Sequence, residues 1–165
     1  MVNNVKKEFE LYEPMRIWFQ RYLEDRYKDS TIITIDSHAR TLDVFLEEYK
    51  IIDKYPQTVG LDIQIDVLGI IIKKNSVHIA FIEAKKTQLN LHDLGQLWAY
   101  CKLCDPLEAF LLSSIGLGSL NKILNNLQRN DLLDFGDGKK IKKMNVGKWD
   151  LNTNSIDFKS LIPKI

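Results

Sequence analysis

Apolar and polar positions alternate along this chain with two different periods, and the switches between them divide it into elements. Over residues 7–28 the side chains Phe9, Tyr12, Met15, Phe19, Tyr22 and Leu23 recur at helical spacing and share one face. Pro14 falls early in that run, which suits a helix whose regular part begins there, with Glu13 just before it. "STIITID" (30–36) is short and β-branched and predicts a strand, and "TLDVFLEEYKI" (41–51) predicts a second, shorter helix. "VGLDIQIDVLGIII" (59–72) is a long strand candidate interrupted by Gly69, followed by the turn signal "KKNS" (73–76) and a return strand "VHIAFIEAK" (77–85). "LNLHDLGQLWAYCKLC" (89–104) returns to helical periodicity, with Asn90 as N-cap and Pro106 past the end. "LEAFLLSS" (107–114) reads as a buried strand and "GSLNKILNNLQRN" (118–130) as a helix, while "KKIKKMNVGKWD" and "SIDF" close the chain with one or two strands. This order predicts one α/β domain, a mixed sheet flanked by helices.

Polar residues interrupt the apolar pattern at one place. In "LDIQID" the residues Asp62, Gln64 and Asp66 form a polar edge, with Leu61, Ile63, Ile65 and Val67 on the opposite face. On the return strand Glu83 and Lys85 stand two apart and therefore share a face, in a setting where unpaired charge is costly. The turn decides whether these groups meet. A four-residue loop at 73–76 sets Asp66 opposite Glu83, and a two-residue loop at Asn75–Ser76 sets Asp66 opposite Lys85. A three-residue loop breaks the cluster. Two adjacent carboxylates repel when both are ionised, and a divalent cation between them removes the conflict. Oxygen ligands suit Mg²⁺, which works on phosphates, and a nearby lysine then positions or polarises a nucleophile.

Composition narrows the partners. The 165 residues suffice for one domain, 1–165, and a 45% hydrophobic, 27% charged chain reads as soluble and globular. A formal charge of +1 excludes a uniformly basic nucleic-acid binder, so any such contact rests on local groups. Lys139, Lys140, Lys142 and Lys143 form the main one, and Lys73/Lys74 and Lys85/Lys86 are smaller. No stretch approaches the roughly twenty apolar residues of a membrane span, and no signal-peptide pattern opens the chain, so a cytoplasmic location is the default expectation. Cys101 and Cys104 form a lone C-x-x-C near a helix end, without further ligands at zinc spacing, and are expected to pack in the core. His38, His78 and His92 show no metal-ligand spacing and are read as structural or surface residues. Trp18, Trp98 and Trp149 are expected in the core.

With "QIDVLG" carrying Asp66, "IEAKK" carrying Glu83-Ala84-Lys85, and "QLWAY" carrying Gln96 and Tyr100, the chain resembles the PD-(D/E)XK nuclease superfamily. The first two match the aspartate and the E-x-K of its second and third core strands. The third matches the Q-x-x-x-Y of RecB-like members, with its two residues one helical turn apart. The resemblance covers about residues 7–114 and implies the restriction-endonuclease-like αβββαβ core, with 115–165 as a C-terminal helix and strand extension. It departs at Ile65, where the name-giving motif has proline.

The resemblance implies Mg²⁺-dependent hydrolysis of DNA phosphodiesters, with Mn²⁺ substituting. Asp66 and Glu83 would be metal ligands, Lys85 the catalytic lysine, and the Ala84 carbonyl a further ligand. It also implies a glutamate from the first helix, with Glu13 favoured over Glu10 and Glu8, and Asp62 as a secondary candidate. Gln96 and Tyr100 would be accessory, and Lys86, Lys139, Lys140, Lys142 and Lys143 are candidates for DNA-backbone contact. A homodimer addressing two strands is common for members of this size. The competing expectations are a catalytically silent DNA- or partner-binding subunit, and a structure-specific resolvase or repair exonuclease.

Overall fold

The structure, a computed structural model, describes residues 4–165. Helix α1 (Tyr12–Arg26) follows a 3₁₀ turn at Glu8–Leu11 and leads into β1 (Thr31–Asp36) and α2 (Leu42–Glu48). The hairpin β2 (Val67–Ile72) and β3 (Val77–Lys85) comes next, then α3 (Leu91–Cys104), β4 (Glu108–Ser113), β5 (Asn145–Asp150) and β6 (Ser155–Ile162). The six strands form one mixed α/β sheet in sequence order, β1 to β6. β1–β2–β3 run antiparallel, β4 and β5 lie parallel to β3, and β6 returns antiparallel. Consequently the C-terminal ends of β1, β3, β4 and β5 meet the start of β2 at one end of the sheet.

Alternation along the central strands gives the sheet two apolar faces. On one, Val67, Ile71, Ala80, Ile82, Ala84 and Phe110 pack beneath the Tyr12, Met15, Phe19 and Leu23 stripe of α1. On the other, Leu68, Ile70, Ile79, Phe81 and Leu111 pack beneath α2 and α3. A strand covered on both faces must be apolar on both, which is why β2 and β4 read as near-continuous hydrophobic runs. Gly69 is needed on the α1 side, where an added Cβ would lie 2.7 Å from Leu23 Cδ1 and 3.1 Å from Phe19 Cε2. Asn90 caps α3 in a reciprocal arrangement with Asp93, and the Asn90 side chain accepts from the Asp93 N–H.

Several expectations are corrected. The strand expected over 59–72 is a strand only over Val67–Ile72. Asp62 adopts a left-handed conformation, and backbone groups at 63–66 bond to Leu42 and Ser37 rather than to a neighbouring strand. The expected helix 118–130 shortens to Ser119–Asn121 and a π turn at Lys122–Asn126, because Gln128 is left-handed and the asparagines support a helix poorly. The lysine run 139–143 lies in a loop, joined to Asp134 by an isolated bridge at Lys143 and by the Lys142 N–H, which donates to Asp134 Oδ1 at 3.1 Å. Phe9 is exposed, since the 3₁₀ turn shifts the phase of the stripe before Tyr12. Trp149 and both cysteines are buried, whereas Trp98 is 37% exposed with its indole N–H donating to the Asp134 carbonyl. No helix among the described residues is long and apolar enough to cross a membrane.

Candidate functional site

The hairpin loop spans four residues, with Lys73 N–H donating to the Ser76 carbonyl and Ile72 paired to Val77. That register continues to Val67 opposite Ile82, so Asp66 and Glu83 occupy the next opposed position. β2 begins only at Val67, which leaves the Ala84 N–H beyond the end of the ladder. Asp66 Oδ2 accepts it at 2.8 Å, and in exchange Asp66 N–H donates to Glu83 Oε1 at 3.3 Å. The N–H and C=O of one strand residue point to the same side, so the Ala84 carbonyl emerges toward Asp66 as well.

Burial sets the electrostatics. Glu83 is 6% exposed, and desolvation first, then the neighbouring Asp66 charge, pushes its carboxyl well above the ordinary range. Asp66 is raised too, chiefly by desolvation, with Glu8 adding repulsion while the Ala84 N–H and the Lys85 charge oppose it. Lys85 therefore senses both acids yet forms no ion pair among the described residues.

Three further elements close around it. Ser37, just past β1, donates its N–H to the Asp66 carbonyl at 3.0 Å and its hydroxyl to the Ile65 carbonyl. Tyr12, at the start of α1, places its hydroxyl 3.5 Å from Glu8 Oε1 and faces Asp66. Burial and these acids push the phenol far above its usual range, so it stays neutral. Glu8 Oε2 accepts the Lys86 N–H, Lys86 Nζ donates to the Lys6 carbonyl, and Asn4 ties the Lys86 carbonyl to the Ser114 hydroxyl. The N-terminal segment is thus strapped over the strand ends.

The other candidates are placed as follows. Glu8, and not Glu13, lies beside the pair; Glu13 is 59% exposed and doubly bonded to Arg16, which holds its carboxyl below the usual range. Asp62 is exposed in its left-handed bend. Gln96 donates to the Tyr100 hydroxyl at 3.3 Å, and neither hydrogen-bonds the acids. The lysine run belongs to the opposite end of the sheet: Lys140 and Lys142 line a cavity of about 490 Å³ with His78 and Leu107. His78 and Glu83 are five strand residues apart, roughly 16 Å at about 3.3 Å per residue. Lys142 is further held by Asp105 at 2.6 Å. Tyr12 and Ser37 were invisible as site residues in the sequence, because a helix start and a strand end meet only in the fold.

Among the described residues no group of three or more His, Cys, Asp or Glu is arranged to hold a metal by itself. The oxygen donors at hand are the Asp66 and Glu83 carboxylates, the Ala84 carbonyl and the nearby Glu8. Such a set suits a hard cation that keeps several of its waters, and does not suit an all-protein cage. The chain matches no protein-family model, no curated protein and no solved structure, so this strand end is read on its own chemistry.

Proposed function

We propose that the chain is a Mg²⁺-dependent deoxyribonuclease with a restriction-endonuclease-like core. The observation that carries the reading is the opposed Asp66–Glu83 pair, Glu83 buried and Asp66 half-buried, both acids destabilised as anions, with Lys85 on the same strand as Glu83. The element order helix, strand, a short helix inserted before two further antiparallel strands, helix and parallel strand, with helices on both faces, supports the fold assignment.

Asp66 and Glu83 would hold the cation, with the Ala84 carbonyl as a third oxygen. When bound, a divalent cation lowers the pKa of water and draws charge from a phosphoryl oxygen. Asp66 is kept in place by the Ala84 and Ser37 backbone contacts, so its carboxylate needs no rearrangement to bind. Lys85 extends from the same face as Glu83 and offers its ammonium to the phosphate or the attacking water.

Plasmid cleavage tests the assignment. Asp66→Ala and Lys85→Ala are each expected to abolish cutting in Mg²⁺ while circular dichroism stays that of the parent, and two fully active variants would overturn it. A catalytically silent binding subunit is the competing reading. It would be favoured by titration calorimetry that detects neither Mg²⁺ nor Mn²⁺ binding to the parent. Linear, circular, branched and single-stranded DNA compared side by side would separate endonuclease from resolvase and exonuclease.

A further inference from the structure

His38 stands at the same strand end with a carboxylate partner of its own. Asp36 closes β1, and its Oδ1 contacts His38 Nδ1. Ser37, between them, is bonded to the Asp66 backbone, so the loop bearing His38 is clamped to the candidate site. The imidazole rests on Tyr12, with ring centroids 4.7 Å apart and planes tilted by 40°, and the Tyr12 hydroxyl faces Asp66 and Glu8. One aromatic ring therefore separates His38 from the carboxylate pair. Its side chain is 41% exposed, open to whatever enters from solvent.

A carboxylate on Nδ1 fixes the ring so that Nε2 is the working nitrogen. No hydrogen bond engages Nε2 among the described residues. The charged and titratable groups around the ring are Asp36 on β1, Tyr12 and Arg16 on α1, with Arg16 acting on Asp36, and Glu8 before α1. In that reading Asp66 and Glu83 would hold the cation, Lys85 is given to the phosphate or the attacking water, and the Tyr12 hydroxyl is turned to Asp66 and Glu8, which leaves the departing oxygen without an assigned proton donor. An alkoxide is a poor leaving group unless it is protonated as it departs.

Resting on the nuclease reading above, we propose that His38, oriented by Asp36, is the general acid of the reaction. As a water oxygen bonds to phosphorus and releases its proton to solvent, the bond from phosphorus to the leaving sugar oxygen breaks. The electron pair of that bond stays on the oxygen, which takes the proton from Nε2 of the imidazolium. The neutral imidazole keeps its Nδ1 proton toward Asp36 and regains the other from solvent.

Leaving-group replacement tests this directly. The full chain is assayed in single turnover with Mg²⁺ on two DNA duplexes, one natural and one with sulfur replacing the leaving oxygen at the position where the parent cuts. A thiolate leaves without a proton. His38→Ala and His38→Gln are expected to slow cleavage of the natural duplex by about 100-fold, within the usual span of general acid catalysis, and that of the sulfur-bridged duplex by less than about threefold. Asp36→Asn should show the same pattern with a smaller loss. Variants as fast as the parent on the natural duplex overturn the proposal, and so does an equal loss on both duplexes, which marks a structural role. A parent that cuts neither duplex overturns the hydrolytic reading itself, and this proposal with it.

Discussion

Glu83 carries two tensions, a charge in an apolar strand and a second acid across the hairpin. Its folded pKa lies above the unfolded value, so its contribution to stability is fully present below the unfolded pKa and is lost as pH rises through the folded one. Asp66 acts in the same direction. Without metal, Glu83→Gln should therefore melt above the parent at pH 8, and the gap should shrink as pH falls toward 5. A gain of about 1 kcal/mol corresponds to roughly 2–4 °C in a chain of this size. Melts across that pH range check it; a variant less stable than the parent at pH 8 would refute it. Glu108 is the opposite kind of buried acid. It accepts from Tyr27 at 2.8 Å and Tyr22 at 3.4 Å and pairs with Arg26 at 2.6 Å. Glu108→Ala strands all three partners and should cost about 2–4 kcal/mol in urea denaturation. The parity of Glu83 and Lys85 was legible, because alternation fixes which residues share a face. Glu8 was among the three glutamates the resemblance offered, though Glu13 was favoured; the company of Tyr12 and His38 was not legible, since no local pattern relates positions 12, 38 and 66.

Elements were legible where one period ran without interruption. The return strand 77–85 coincides with β3 and the capped helix with α3, since Asn90 and Pro106 mark that helix at both ends. Residues 59–66 alternate as a strand does and yet form none, because Ser37 and Leu42 take their backbone groups from outside any ladder. Gly69, read as an interruption, is a contact position. Gly69→Ala pushes a methyl into Leu23 and Phe19 and should destabilise by about 1–3 kcal/mol. Thermal melting measures this, and a paired Leu23→Ala change that restores part of the loss would assign it to the α1 contact.

For the molecule as a whole, the sheet separates two charged regions that the sequence invites one to join. The carboxylate pair lies where β1, β3, β4 and β5 end, and the lysine run lies where β3 and β4 begin. In the nuclease reading, the triple change Lys139→Gln, Lys140→Gln, Lys143→Gln should leave the cleavage rate and its salt dependence near those of the parent. The steep salt slope of phosphate contact should instead respond to charge near Lys85. Rates measured between low and moderate salt decide this, and a clearly shallower slope in the triple variant would return those lysines to the DNA.

The strap over the strand ends also has a history during synthesis. Asn4 reaches Lys86 across 82 residues of chain and Ser114 across 110. A ribosome releases Asp66, Glu83 and Lys85 together as one hairpin before Ser114, past the end of β4, is made to receive Asn4. Contacts so distant in sequence close late in folding. The charged pair would spend its early life without its cover, and the full strap would need residues 86 and 114 both in place.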